Sequence, residues 1–234
     1  MNIAIIGAGM IGGALAKRLG QLGHQVAIAN SRGPETLRDL ASDVGATAVT
    51  ALDAARRGEI VVITIPERAV PDLPHDLFTG VPADVVVIDT GNYYPSRDGR
   101  IPAIEQGQPE SAWVAEQIGR PVIKAFNNIY FSSLLENGRP KGTPDRIALP
   151  VAGDPFEARA KVLRLVDELG FDPVDAGGIE ESWRQQPGTP CYTRDNNALQ
   201  LKAALAVAVR SRVPEYRKAA DDAAKAFFRT EPER

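Results

Sequence analysis

The sequence predicts a doubly wound α/β fold of the Rossmann type: a mostly parallel sheet with a helical C-terminal extension. Three observations predict it. Short continuous apolar runs alternate with amphipathic stretches from residue 3 to residue 175, as expected for strands buried on both faces and joined by helices. A glycine-rich turn, Gly7-Ala8-Gly9-Met10-Ile11-Gly12, lies between the first run and the first helical stretch. Beyond residue 196 the pattern is helical only.

The elements follow in order. Ile3-Ala4-Ile5-Ile6 is the first strand, ended by Gly7. Ile11 to Leu22 is a helix with Leu15, Leu19 and Leu22 on one face, stopped by Gly23. Val26-Ala27-Ile28-Ala29 is the second strand, and Pro34 to Val44 a helix with proline in its first turn. A short strand near Thr47-Ala48-Val49 precedes a helix capped by Thr50 and running to about Arg57. Ile60 to Ile65 is a strand stopped by Pro66, and Val85 to Ile88 another. The stretch between them, Ala69 to Phe78, reads as a helix broken by Pro71 and Pro74. Ser111–Ile118 suits a helix and Val122–Phe126 a strand. Ile147–Ala152 is a strand that Pro150 demotes toward an edge. Pro155–Leu169 is a helix and Phe171–Asp175 the last strand, followed by helices at Asn196–Arg212 and Pro214–Phe228. The expected organisation is one dinucleotide-binding domain over residues 1–234, with 196–234 as its helical extension.

Composition narrows the function. Lys and Arg number 27 against 30 Asp and Glu, a formal charge of −3, which argues against a general nucleic-acid binder. A single cysteine, Cys191, excludes an intrachain disulfide, and with only His24 and His75 no metal centre is expected. No apolar run approaches the roughly 18 residues of a membrane-spanning helix. The uncharged start, ending Ala14-Leu15-Ala16, resembles a signal core but lacks a basic leading segment, so a cytoplasmic protein is expected.

The glycine turn carries the cofactor reading. After a strand and at the head of a helix, Gly7 permits the tight turn, Gly9 lets backbone approach a pyrophosphate, and Gly12 lets the helix pack on the sheet. The helix N-terminus offers free N–H groups to phosphate. About 20 residues on, an NAD site places an acid on the ribose hydroxyls. This chain has Asn30-Ser31-Arg32 there. A neutral amide, a hydroxyl and a guanidinium attract a 2′-phosphate that a carboxylate would repel, so NADP(H) is the expected cofactor.

Ligands in such sheets bind beyond the carboxyl ends of the strands. Three long segments fall there: Gly91–Arg100, Asn127–Phe131 and Gly177–Asn196. Their aromatic content favours a ligand surface, though tyrosines and Trp183 also cover helices. No triad or acid–base pair is evident. His24 reads as structural, His75 as exposed, Lys124 has an open role, and Cys191 is a lone thiol. Exchange of hydride between two redox cofactors needs ring alignment more than a side-chain acid, which fits this absence.

These residues resemble a family. The fingerprint, Asn30-Ser31-Arg32, Thr64-Ile65-Pro66, Lys124-Ala125-Phe126-Asn127, Gly153-Asp154 and Phe171 to Gly177 are similar to the NADP-dependent reductases of the deazaflavin coenzyme F420. The pattern spans about residues 2–180 and also resembles the NADPH:flavin domain of the STEAP metalloreductases. The resemblance implies hydride transfer between NADP(H) and coenzyme F420 or a flavin, FAD or FMN. It implies that Ser31 and Arg32 hold the 2′-phosphate, that Ile65 and Pro66 flank the cofactor, and that Asn92 and Asn127 lie near the nicotinamide and acceptor rings. The chain departs from the Gly-Gly-Thr-Gly start common in archaeal members, having Gly7-Ala8-Gly9. The expected cofactor-binding set is Gly7, Ala8, Gly9, Met10, Ile11, Gly12, Asn30, Ser31, Arg32, Ile65, Pro66, Gly91, Asn92 and Asn127; no catalytic residue is assigned.

Two rival functions remain open from the sequence: reduction of a small carbonyl or imine, with Tyr93, Tyr94 or Tyr130 giving the proton, and an NADP-binding sensor without turnover. Trp183–Tyr192 is expected to close over the acceptor as a lid. The apolar Ala203–Val209 run and a Tyr216, Ala220, Ala223, Phe227 stripe suggest a homodimer interface, or simply two helices covering the sheet edge.

Overall fold

Side chains alternate across a strand, so a run apolar at every position is stable only between two covered faces. A computed structural model, describing residues 1–230, shows this arrangement. Eight strands, β1 (Asn2–Ile6), β2 (Gln25–Ala29), β3 (Thr47–Ala48), β4 (Ile60–Ile63), β5 (Val86–Asp89), β6 (Ile123–Lys124), β7 (Ala148–Gly153) and β8 (Asp172–Asp175), form one sheet in the order β3-β2-β1-β4-β5-β6-β7-β8. All neighbours pair in parallel except β6 and β7. The chain winds outward from β1 to β3 and returns to β4 on the other side of β1, so the switch point lies beside the glycine turn.

The helices are α1 (Met10–Gln21), α2 (Arg38–Val44), α3 (Ala51–Arg57), α4 (Pro95–Asp98), α5 (Pro102–Glu105), α6 (Glu110–Ile118), α7 (Phe131–Glu136), α8 (Phe156–Glu168), α9 (Ala198–Ala206) and α10 (Val213–Thr230). Ile3 and Ile5 face a core with Leu15 and Leu19 of α1, Leu134 of α7 and Leu165 of α8. Ala4 and Ile6 face Ala54 and Ala55 of α3, and Val87 meets Trp113 and Val114 of α6. Each fully buried Leu, Ile or Val contributes about 1.5–3 kcal/mol, so this double core outweighs local propensities. Among the described residues no helix is long and apolar enough to cross a membrane, and no cluster of three or more His, Cys, Asp or Glu is placed to hold a metal ion.

Several elements differ from the sequence reading, each for a stated reason. Pro71 and Pro74 leave only a 3-10 turn at Glu67–Asp72, not a helix from 69 to 78. Pro34–Leu37 is likewise a 3-10 turn before α2. Pro150 does not mark an edge: β7 is paired on both sides. Its missing N–H falls beyond the end of β6, where the Gln185 amide approaches the Pro150 carbonyl at 3.5 Å. The helix expected over Asn196–Arg212 stops at Ala206, followed by a 3-10 turn at Arg210–Arg212. Pro214 cannot extend a preceding helix but suits the first turn of the next. The buried stripe of α10 contains Arg217 and Asp221, while Ala223 and Phe227 are exposed. Residues 231–234 of the expected extension lie outside the described residues.

The carboxyl ends of β4 to β6 meet over a buried charge cluster. Lys124, wholly buried, donates to the Gly91 carbonyl at 2.9 Å and stands 3.6 Å from Asp89 and 3.7 Å from Glu110. Asp89 also accepts from Gly91 N–H at 2.8 Å and from the Ser111 hydroxyl at 2.5 Å. Glu67 is wholly buried, and neither of its oxygens has a hydrogen-bond partner among the described residues. It lies so close to Gly91 that a Cβ there would come within 2.6 Å of both oxygens. Burial, reinforced by Asp89, holds the Glu67 carboxyl well above the usual range, despite the opposing Lys124. Burial also raises Glu110 against the pull of Lys124. Burial alone would lower Lys124, but its acidic neighbours, Asp89 first and then Glu110, outweigh it and keep the ammonium charged.

Two outcomes follow for stability. A group that binds its proton more tightly when folded contributes stability at low pH that is lost as pH rises through its raised folded value. Glu67→Gln mimics the protonated acid and has no such loss. Its melting temperature should exceed that of the wild type by a margin that opens above about pH 4.3 and widens toward alkaline pH; thermal melts across pH check this. Lys124→Met leaves Asp89 uncompensated and should destabilise the fold by about 3–5 kcal/mol in denaturant titrations.

Candidate functional site

The β1–α1 turn is shaped by two steric constraints. Gly7 has φ +119°, and a Cβ there would collide with the Thr64 carbonyl. A Cβ at Gly12 would collide with the Gly7 carbonyl, so helix and turn touch backbone to backbone. Gly9 is different: its Cβ would meet nothing within 4 Å. It caps α1 without a side-chain bond, and the first helical hydrogen bond runs from Gly13 N–H to the Gly9 carbonyl at 2.8 Å. The N–H groups of Met10, Ile11 and Gly12 precede that bond, with open space at Gly9 and no acid in the first turn. This cradle fits a pyrophosphate by both room and charge. Ala8 and Ile11 are half-buried beside it and Met10 is exposed.

At the end of β2, Asn30 shapes the turn. Its amide donates to Thr36 at 2.9 Å, and its oxygen accepts from Arg32 N–H at 3.0 Å. Ser31 and Arg32 are exposed, and the Arg32 side chain makes no hydrogen bond or ion pair among the described residues. The sequence reading found no acid here. The structure places one, because the 3-10 turn folds the exposed Glu35 carboxylate back against Gly33.

Ile65 and Pro66 are half-buried just past β4, beside the glycine turn. The ends of β5 and β6 are laced together. Asn92 donates to the Asn127 carbonyl at 2.9 Å, and Asn127 donates back to Asn92 Oδ1 at 3.0 Å and to the Gln185 carbonyl at 2.6 Å. Gln185 donates to Asn127 Oδ1 at 3.0 Å. Asn127 is buried and its amide is committed to this brace, and both backbone polar groups of Gly91 are engaged by Asp89 and Lys124. Arg97 donates to the Asn92 carbonyl at 2.5 Å and pairs with Asp98 at 2.8 Å. The hydroxyls of Tyr94 and Tyr192 lie 2.5 Å apart.

The structure thus gathers the expected residues along one edge, with Asn30–Arg32 at β2 and Asn127 at β6 as its extremes. Trp183–Tyr192 corrects the lid expectation. Trp183, Gln185, Gln186, Thr189 and Cys191 are buried, and Ile179–Gln185 is a 3-10 turn, so the segment is a fixed wall packed into the fold. The Trp183 ring, covered by the Arg184 guanidinium at 4.5 Å, presents no free face. Burial pushes the Cys191 thiol up to about 11, leaving it un-ionised. Sequence reasoning missed Glu67, Asp89 and Glu110; the only signal was that Asp89 and Lys124 end apolar strands on the ligand side.

Comparison with known proteins accords with this geometry. Residues 2–93 match the family described as NADP oxidoreductase coenzyme F420-dependent. The chain is 44% identical to the YjhV protein of Escherichia coli strain K12 over 82 residues, 33% of this chain and 60% of that protein's length. Protein SMa0349 of Sinorhizobium meliloti has a similar structure, with a TM-score of 0.69 and 32% identity over 83% of this chain and 94% of its own. A structure from Arthrobacter sp. FB24 described as an F420-dependent NADP reductase shares the fold, with a TM-score of 0.62 and 23% identity over 76% of this chain and 86% of its own. The match to the NADP oxidoreductase coenzyme F420-dependent family thus lies in residues 2–93, and over most of its length the chain is related to SMa0349.

Proposed function

We propose that this protein is an NADPH-dependent reductase that binds its cofactor along the carboxyl edge of the sheet and passes hydride to a flavin or deazaflavin ring. The observation that carries the reading is the turn at Gly9, where free N–H groups and open space coincide one strand away from an unpaired arginine. The N–H groups of Met10 to Gly12 would hold the pyrophosphate and Arg32 the 2′-phosphate. NADPH supplies the hydride when bound. The brace between Asn92, Asn127 and Gln185 keeps the acceptor side of the edge in one shape, and exposed Tyr130 and Phe131 at the head of α7 offer ring faces to a planar acceptor. The family match and the Arthrobacter relative's description support a deazaflavin as acceptor.

Cofactor titrations by fluorescence test the binding half. Arg32→Ala should weaken NADPH by roughly ten- to a hundredfold and NADH little, since a charge-assisted hydrogen bond contributes about 1.5–3 kcal/mol. Glu35→Gln should act oppositely and weakly, by less than about fivefold, because its carboxylate is exposed and screened. Equal affinity of the wild type for both cofactors would contradict the assignment.

The glycines separate folding from binding. Gly9→Val puts its side chain into open space, so the variant should melt within a few degrees of the wild type yet lose both NADPH and NADH. Gly12→Val must push against the Gly7 carbonyl and should lower the melting temperature as well. Tight NADPH binding by a folded Gly9→Val protein would show that the turn is structural only.

A further inference from the structure

We propose that the Tyr94–Tyr192 hydroxyl pair donates the proton that accompanies hydride transfer, an inference that rests on the reductase reading above. Reduction of a carbonyl or imine by NADPH requires a proton as well as a hydride, and a flavin or deazaflavin takes up a proton to reach its neutral reduced form. A phenol hydroxyl has one proton to donate and lone pairs to accept. When two hydroxyls bond only to each other, one O–H is consumed in the bond and the other has no acceptor. The Tyr94 and Tyr192 hydroxyls stand 2.5 Å apart, and neither has another partner among the described residues. The pair therefore holds one uncommitted proton at the carboxyl edge, two residues along the chain from Asn92.

Both rings are fixed. Phe228 and Tyr94 meet edge to face with centroids 5.1 Å apart, and the Arg97 guanidinium lies 5.3 Å from the centroid of the Tyr94 ring. Tyr192 N–H donates to the Thr189 carbonyl at 2.9 Å, and the next residue, Thr193, donates to the Asn128 carbonyl at 2.9 Å. Both side chains are half-buried, as a donor to a bound acceptor requires. Burial raises both phenols above their ordinary value. Glu110 adds to this for both and Tyr130 for Tyr94, while Arg97 opposes it, so both stay protonated at neutral pH.

Other candidates are committed or remote. The Tyr93 hydroxyl is buried, donating to the Gly99 carbonyl at 2.9 Å and accepting from Ile101 N–H at 3.0 Å. Glu67 is sealed from solvent. Asn92 and Asn127 are spent on each other.

The step balances. The C4–H bond of the dihydronicotinamide breaks with its electron pair, and a bond from that hydrogen to the acceptor forms. The displaced π pair moves to the acceptor's nitrogen or oxygen, and the phenol O–H bond breaks as its proton joins that atom. NADPH is oxidised and the acceptor reduced by two electrons. The phenolate left behind accepts a hydrogen bond from its neighbour, lies by Arg97, and regains a proton from water.

The test uses the full chain with coenzyme F420, FMN and a cyclic imine as separate acceptors. Tyr94→Phe, Tyr192→Phe and the double variant keep the rings and remove only oxygen. In the double variant kcat should fall by roughly a hundredfold or more, with the NADPH dissociation constant and KM for NADPH changed by less than about twofold and the melting temperature by no more than about 5 °C. The double variant should be no worse than the weaker single, because the hydroxyls act as a unit. A double variant with kcat within about threefold of wild type, or a loss confined to KM for NADPH, would overturn the proton donor and leave the reductase reading standing. A wild type that binds NADPH and reduces none of the three acceptors would overturn both. If the double variant does not fold, wild-type kcat in both single variants is the overturning result.

Discussion

A lysine ammonium buried against Asp89 and Glu110, with a third acid at Glu67, sets the shape of the carboxyl edge of the sheet. Lys124 cannot leave the cluster without stranding Asp89, and its hydrogen bond to the Gly91 carbonyl joins the ends of β5 and β6. Asp89 closes the other side, holding Gly91 N–H and, through Ser111, the first turn of α6. Such clusters are weak sources of net stability but are costly to break, because desolvated charge has no alternative partner. The chain after β5 therefore leaves the sheet in one direction only, and Asn92, Tyr94 and Arg97 inherit their positions from it. A protonated Glu67 relieves the excess negative charge while letting Gly91 pack tightly above it.

The segment after β8 completes that edge. Gln185 reaches across to Lys124 and Asn127, and Arg184 donates to the Leu205 carbonyl at the end of α9. Asp221 of α10 accepts from both the backbone and the hydroxyl of Ser96 at 2.9 and 2.6 Å, and Arg217 reaches the Ile104 carbonyl at 3.2 Å. Gly188 packs directly against the backbone of Tyr216, where no side chain would fit. The C-terminal helices thus clamp the loops that carry Tyr94 and Tyr192, which is why a stretch that reads as an appendage bears on the proposed acceptor side.

The legibility of the molecule followed the range of its interactions. The β1–α1 turn, the Thr50 cap and the strand pattern are local: a glycine at fixed spacing, a hydroxyl three residues before its N–H partner, an uninterrupted apolar run. They were readable because each residue states its own backbone requirement. Pro150 misled because the rule that excludes proline from central strands assumes a full-length neighbour, and β6 is only two residues long. Glu67 was invisible because an acid after Pro66 looks like any surface residue until α6 and Gly91 close over it. Trp183–Tyr192 read as a lid because Pro187, Gly188 and Pro190 oppose regular structure, but irregular backbone can still be buried when its polar groups find partners, as Gln185 and Thr189 do here.

The two halves of the edge are built differently, and this bears on specificity. The half proposed to hold the cofactor, from Gly7 to Pro66, depends on short-range turns and lies within the family match to residue 93. The half proposed to face the acceptor depends on contacts between residues far apart in sequence: Asn92 with Asn127, Asn127 with Gln185, Tyr94 with Tyr192. A change within the wall after β8 can therefore reshape the acceptor side through the Asn127 brace while leaving the turn at Gly9 untouched. The same division places the proposed proton donor outside the cofactor half, where its position is tied to whichever acceptor the wall admits. The proposed donor joins two distant segments, Tyr94 after β5 and Tyr192 at the end of the wall, so its geometry depends on how those segments meet.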